Sequence, residues 1–505
     1  MVLVALFLFC LILTFIWKDT RKPKKFPPGP KWYPIVGCIP LLQRLINIFK
    51  FYHLMWEHFA TIWGPVVGFR IGCDRVILIS GIDAVKEFYS IDEFNGRPNG
   101  FFFKVRSFNK RLGIVFTDGK EWEVQRRFSM KILKQLMGIG KNGLIHIEIE
   151  AQKMIENFRK KAIKKELLEM QHLFDIPVLN VMWALLAGYT FDVDDTKLLN
   201  LVKLIHECFR DIDMSGGILN QFPFIRYFFP EKCGYNKMIK NTKPLLSFLT
   251  ERIKEIKDKI GTNNLNKEIK SLIEAYLIEI EKFKNDKSTF TAEQLLIICL
   301  DFFQAGSETT SNTLGFGLIY MLHYPEILEK VRAEIYGVIG QNRLLKLSDR
   351  NNLPYTEAVI YEIQRISSVA PLAIIHRTLQ TVNYQNYIIP KNTLALVSIY
   401  SLNMDKKYWI DPHNFRPERF LNNDGKLIHH EYFIPFGLGK RRCVGEMLAR
   451  SSLFLFFAIF VQNFDIELQD HKNLPEKIGF DGITLSPKPY KAYLKIRKFT
   501  NNYKN

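Results

Sequence analysis

The sequence predicts a mainly α fold with a small β-region, carried behind an N-terminal transmembrane signal-anchor. Three observations predict it. Most segments after Pro30 repeat their apolar residues at helical spacing, only two short runs read as strands, and Met1–Trp17 holds no charged side chain.

The N-terminal run comes first. At 1.5 Å per residue Met1–Trp17 spans roughly 25 Å, near the lower limit for a bilayer core. Lys18, Arg21, Lys22, Lys24 and Lys25 follow at once. A cleaved signal peptide would need positive charge before the apolar run and a small-residue cleavage site after it. Neither is present, so residues 1–17 read as a retained anchor whose basic flank stays cytoplasmic. That leaves the bulk of the chain on the cytosolic side of the endoplasmic reticulum membrane. Residues 18–30 form a basic, proline-rich hinge around Phe26-Pro27-Pro28-Gly29-Pro30, stiff because proline restricts the backbone. Residues 31–505 read as a single domain without a low-complexity linker or an internal repeat.

Within that domain, Val76–Ile79 and Ala395–Ile399 read as short strands. Thr250–Lys287 is dense in Lys and Glu and predicts exposed helices and a loop. Thr291–His323 predicts one long helix, capped by Thr289 or Thr291, with Glu293 in its first turn. Its length would suit a second membrane span, but Asp301, Gln304, Glu308 and a Ser/Thr cluster are too polar for lipid. A helix through the middle of a large soluble domain fits them better.

Composition bounds the chemistry. The 505 residues are 47% hydrophobic and include 41 Phe, enough for a core that hides a cofactor. Lys plus Arg total 70 against 51 Asp plus Glu, a net charge of +19. Such a balance suits nucleic acid, anionic lipid or an acidic partner. With no basic tail and no zinc-finger spacing, nucleic acid is set aside. The cysteines (Cys10, Cys38, Cys73, Cys208, Cys233, Cys299 and Cys443) are scattered, odd in number and never spaced C-x-x-C. This excludes a disulfide framework and a structural zinc site as the organising device.

One cysteine stands apart. Phe433-Ile-Pro-Phe436-Gly437-Leu-Gly439-Lys440-Arg441-Arg442-Cys443-Val-Gly445 is a glycine-rich loop followed by an apolar helical segment to about Val461. Cys443 thus sits at or just before a helix N-terminus, where unpaired N–H groups and nearby arginines favour a thiolate. A lone thiolate facing a flat apolar cofactor is what a haem iron takes on its proximal side. A cysteine in a glycine-rich turn is more often plain core, so the surrounding pattern decides. F-x-x-G-x-x-x-C-x-G, with Arg two places before Cys, is complete at Phe436, Gly439, Arg441, Cys443 and Gly445. In this the chain resembles the cytochrome P-450 superfamily, over nearly its whole length.

The resemblance implies a cytochrome P-450 fold, a haem-thiolate catalytic domain whose long central helix passes over the haem. It implies haem b held by the Cys443 thiolate, with Phe436 and Gly437 in the haem-binding loop. It implies an E-x-x-R pair at Glu362/Arg365, joined by Arg419 in a buried network of structural role. The same spacing occurs at Glu123/Arg126, Glu156/Arg159, Glu207/Arg210 and Glu329/Arg332, so order along the chain selects the pair. It also implies propionate contacts from Trp122 and Arg126, one helical turn apart, and from Arg97, His376 and Arg441. A packed loop histidine is an equal reading for His376.

On the oxygen side, Ala305-Gly306-Ser307-Glu308-Thr309-Thr310 matches the family's A-G-x-[DE]-T-[TS] stretch. There Gly306 would make room for dioxygen and substrate, Thr309 would serve the oxygen's proton, and Glu308 would carry protons in from solvent. Mid-helix threonines otherwise bond the carbonyl four residues back. Phe302, Phe303, Ala305, Val369, Pro371, Leu372, Ile483 and Leu485 fall where the family lines its substrate pocket; plain core is the competing reading. Gly138–Gly143 spells G-x-G-x-x-G, but a helical segment precedes it where a dinucleotide fold needs a strand. No flavin or NAD(P) is therefore expected on this chain. Electrons would come from an NADPH-cytochrome P-450 reductase, with cytochrome b5 as a second donor, docking at Lys440 and Arg442.

The function implied is insertion of one atom of O2 into a hydrophobic terpenoid, steroid or xenobiotic. The chain resembles microsomal insect members related to the vertebrate drug- and steroid-oxidising group, groups that include methyl farnesoate epoxidase. An oxygen-independent isomerase or dehydratase would show a degraded stretch at Glu308-Thr309, which is intact. A haem sensor or carrier would need no distal proton donor.

Overall fold

The computed structural model describes residues 2–138, 145–193, 195–211, 217–260, 269–283, 288–340 and 343–497. The remainder of the G-x-G-x-x-G run after Gly138, and parts of Thr250–Lys287, lie outside them. Helices dominate, as expected. The longest, Ala292–His323, has 32 residues, about 48 Å at 1.5 Å rise. It starts where Thr291 accepts a hydrogen bond from the Gln294 N–H at 3.1 Å. It ends at Tyr324, because Pro325 begins the next helix.

This helix is the axis of the domain. Asp175–Ala187, Tyr235–Ile260, Pro354–Ser367 and Glu446–Asn463 all pack on it. Asp175–Ala187 is buried on every residue, and Glu446–Asn463 is buried from Ser451 onward. Both are apolar around most of their circumference, which is the pattern of a helix enclosed by others. Gly306 permits the closest approach: a Cβ there would stand 2.5 Å from the end of the Met182 side chain.

The β-region lies to one side. Val66–Ile71 pairs antiparallel with Asp74–Ile79, which runs parallel to Leu394–Val397, with Ile77 opposite Ala395. His376–Arg377 closes the sheet antiparallel to Leu394–Val397. The expected second strand therefore stops at Val397, and Ile399 opens a short helix capped by the Ser398 hydroxyl. Phe464–Leu468, Lys491–Ile496 and Leu168–Glu169 form a second sheet. One apolar core fills the helical part and another the sheet part. The site lies between them.

The N-terminal helix runs Val2–Thr20, past the expected end at Trp17, and its apolar side chains are exposed. Residues 18–30 do not hang free of the domain. Asp19 pairs with Arg70 at 2.7 Å, the Pro28 carbonyl accepts from Gly68, and Phe26 is buried over Gly68. The prolines stiffen a segment that a buried guanidinium already holds in place.

Candidate active site

A cavity of about 630 Å³ separates the long helix from the cysteine loop, and Cys443, Thr309 and His376 all line it. The loop owes its shape to two glycines. Gly437 and Gly439 take φ of 70° and 66°, a left-handed region open to glycine at no steric cost. A Cβ on Gly439 would stand 2.8 Å from the Tyr89 carbonyl oxygen. The Cys443 N–H donates to the Phe436 carbonyl at 3.0 Å, which turns the chain back before the helix at Glu446. Burial pushes the Cys443 thiol up, while the Gly445 N–H, Arg126 and Arg442 pull it down. The helix end alone thus does not favour a thiolate; a coordinated metal ion would.

Cations gather on the wall beside the loop. Arg441 lies 3.6 Å over the Trp122 ring and donates to the carbonyls of Asn95 and Thr117. Arg97 donates to the carbonyls of Val115, Ile374 and Ile375. Arg126 reaches the Arg442 carbonyl at 2.5 Å. Asp118 is the one carboxylate bonded to this group among the described residues, and its side chain is taken by Arg111 and Arg377. Burial would raise Asp118, but Arg111 and the Arg97 N–H bring it down to about 2. Burial, then Arg97 and Arg126, push the Arg441 guanidinium down to about 8. Since a guanidinium keeps its proton in proteins, this depression amounts to an unmet demand for negative charge. His376 is also held well below its ordinary value, by burial and then Arg97; its Nδ1 bonds the Phe94 carbonyl at 2.8 Å.

These residues fit a haem. The cavity ends on a cysteine sulfur, its rim carries uncompensated cations, and the buried Trp122 Nε1 has no hydrogen-bond partner. Two propionates would supply what that rim lacks.

Across the cavity, Phe302, Ala305, Gly306 and Thr309 share one face of the long helix and all line it. Val369, Leu372 and Ile483 line it too. Phe303 does not: one residue further round the helix, its fully buried ring packs on Trp183 and Phe248. Pro371 and Leu485 stand behind the lining, Leu485 donating to the Val369 carbonyl. The Thr309 hydroxyl donates to the Ala305 carbonyl at 3.0 Å. Glu308 faces away from solvent and is fully buried. Its Oε1 accepts from Arg210, from the Thr484 hydroxyl at 2.8 Å and from Asn312 at 3.2 Å. Protons expected to enter through Glu308 would therefore have to pass this polar cluster, which reaches half-exposed His172 through His206 and Asp175.

Glu362 and Arg365 make two hydrogen bonds, 2.7 and 2.8 Å, and Arg419 adds a third at 3.1 Å. All three are buried in their side chains. Of the four alternative spacings, Glu329/Arg332 also pairs, but Glu329 is exposed. Lys440 and Arg442, expected to dock a partner, are already paired with Asp92 and Glu446.

Several cavity residues escaped sequence reasoning. Asp301 accepts from the N–H groups of Ile114 and Val115 and pairs with Arg106 at 2.7 Å, and Arg106 also reaches Gln304. No local motif announces them, because each pairing spans nearly two hundred residues.

Residues 27–494 match the family model described as Cytochrome P450. The chain is similar to the farnesoate epoxidase of Bombyx mori, 37% identical over 497 residues, covering 98% of this chain and 99% of that one. It is 34% identical over 504 residues to the probable cytochrome P450 303a1 of Drosophila melanogaster, with 98% and 99% covered. It is also 34% identical over 495 residues to cytochrome P450 2C8 of Homo sapiens, with 97% and 98% covered.

Proposed function

The chain belongs to the cytochrome P450 family, and on that footing we propose that it is a microsomal monooxygenase that epoxidises or hydroxylates an apolar terpenoid bearing a carboxyl or ester end. The observation that carries the reading is one cavity with a cysteine sulfur on one wall, Thr309 on the other and uncompensated cations at its rim. Cys443 would hold the iron, and Arg97, Trp122, Arg126, His376 and Arg441 would hold the propionates. When bound, the haem-thiolate centre supplies the oxygen-activating chemistry.

The chain's own residues do the rest. Phe302, Ala305, Val369, Leu372 and Ile483 exclude water and favour an apolar substrate. Arg106 and Gln304 form a polar point in the same lining, suited to the carbonyl end of such a molecule. The similarity to a farnesoate epoxidase points the same way. Thr309 can release its Ala305 bond and hold a proton at its hydroxyl, facing the cavity. Electrons would come from an NADPH-dependent reductase, with cytochrome b5 as a second donor. Lys440 and Arg442, both exposed in their surface pairs, and the exposed Lys120, Arg127, Lys131 and Lys134 on the helix of Trp122 are the docking candidates. The exposed N-terminal helix, together with exposed Phe224, Tyr227, Phe228 and Phe229, supports attachment to the endoplasmic reticulum membrane.

A reduced carbon-monoxide difference spectrum tests the cofactor: a red-shifted thiolate band is expected, and its absence overturns the reading. Thr309→Ala should consume NADPH without matching product; full coupling would remove Thr309 from the proton path. Arg106→Leu should weaken the spectral binding of a terpenoid ester at least tenfold while leaving a plain hydrocarbon unchanged.

A further inference from the structure

Beside Glu308 of the long helix, a second group of ligating side chains stands together. His172 ends a short turn at Met170–His172, Asp175 opens the Asp175–Ala187 helix, and His206 comes from the Thr196–Asp211 helix. His172 Nδ1 lies 2.9 Å and His206 Nε2 2.7 Å from Asp175 Oδ2. The three ligand atoms all fall within 4.8 Å of one another. We propose that His172, Asp175 and His206 form a divalent-cation site, best matched to zinc, with Glu308 as the outer carboxylate that orients His206.

The chemistry supports this at each ligand. Two imidazoles and one carboxylate are a borderline-soft donor set, and zinc accepts three protein ligands with a fourth position left for water. Bonds of about 2.0–2.2 Å place tetrahedral ligand atoms roughly 3.4 Å apart, so closing the present spacing needs only small side-chain rotations. Asp175 is buried, and its Oδ1 has no hydrogen-bond partner. His172 is half exposed, which opens a path from solvent. The other ring nitrogen of His206, Nδ1, faces Glu308 Oε2 at 3.4 Å. A carboxylate behind a ligating histidine fixes its tautomer and raises its basicity.

A proton is the competing occupant. Burial alone would lower His206, but its contacts with Asp175 and Glu308 raise it to about 10. Arg210, on the same helix, binds Glu308 and supplies the other nearby positive charge. Zinc must therefore compete with the ion pairs that Asp175 makes with both histidines.

The test is zinc uptake by the full haem-loaded chain, measured by equilibrium dialysis and metal analysis at pH 8. One zinc per chain is expected. His172→Ala, at an exposed position, should weaken it at least tenfold, and so should His206→Gln. His58→Ala, remote from the cluster, should leave it unchanged. Uptake that His172→Ala leaves unchanged overturns the site, as does no uptake at pH 8. The readout is bound metal, so it is independent of the oxygenation chemistry.

Discussion

Two groups of arginines in this chain face opposite fates. Around Glu362, both guanidiniums find acids: Arg365 takes Glu362, Arg419 takes Glu362 and Asp411, and remaining donors go to the carbonyls of Asn403, Trp409 and Asn414. Beside the cysteine loop, Arg97, Arg126 and Arg441 find mainly neutral carbonyls, and Asp118 is spent on Arg111 and Arg377. The first group is complete without a ligand. The second would be completed by an anionic group. Paired, such charge serves architecture; unpaired, it would serve binding.

Breaking the complete group should cost most. Glu362→Gln leaves two buried guanidiniums with one acid fewer, and about 3–5 kcal/mol of stability should be lost in a urea melt. A loss under about 1 kcal/mol would mean that the network is not the structural device its burial implies. The Asp175–His206 pair stands between the two extremes. His206 is raised to about 10 from 6.5, so its stabilisation is whole below pH 6.5 and fades as pH climbs toward 10. Asp175 is brought to about 2 by its two histidines, against burial, so its share fades only as pH falls below 3.8 toward 2. In metal-free buffer the gap between wild type and His206→Gln should be on the order of a few kcal/mol near pH 6 and close steadily above it. A gap independent of pH would contradict the charged pair. The incomplete group should respond with opposite signs. Arg441→Leu should loosen haem about tenfold or more, roughly 1–3 kcal/mol, seen as faster transfer to a scavenging globin. The haem-free chain should lose little stability, since removing an uncompensated half-buried cation offsets the lost bonds to the Asn95 and Thr117 carbonyls. A fall in both would show that Arg441 is structural.

The cysteine loop was legible because its determinants are contiguous. Gly437, Gly439, Arg441 and Cys443 act within one turn of chain, and the left-handed glycine conformations are local events. The long helix was legible through its cap at Thr291 and its stop before Pro325. Helical periodicity could also have separated Phe302 from Phe303, and family resemblance overrode it. Glu308 could not be read in the same way. Its neighbours Arg210 and Thr484 come from segments that only the packed domain brings together.

By itself, then, the sequence determined the helical class, the apolar N-terminal segment, the family motifs and the cysteine at their centre. These depend on spacing along the backbone, which the chain carries whether folded or not. Only the tertiary structure decided which arginines are paired, which phenylalanine meets the cavity, and that Glu308 is locked behind the helix beside two histidines and an aspartate. Those outcomes depend on burial and on contacts between segments far apart in sequence. A charge acquires its cost, and so its use, only once the fold has removed it from water.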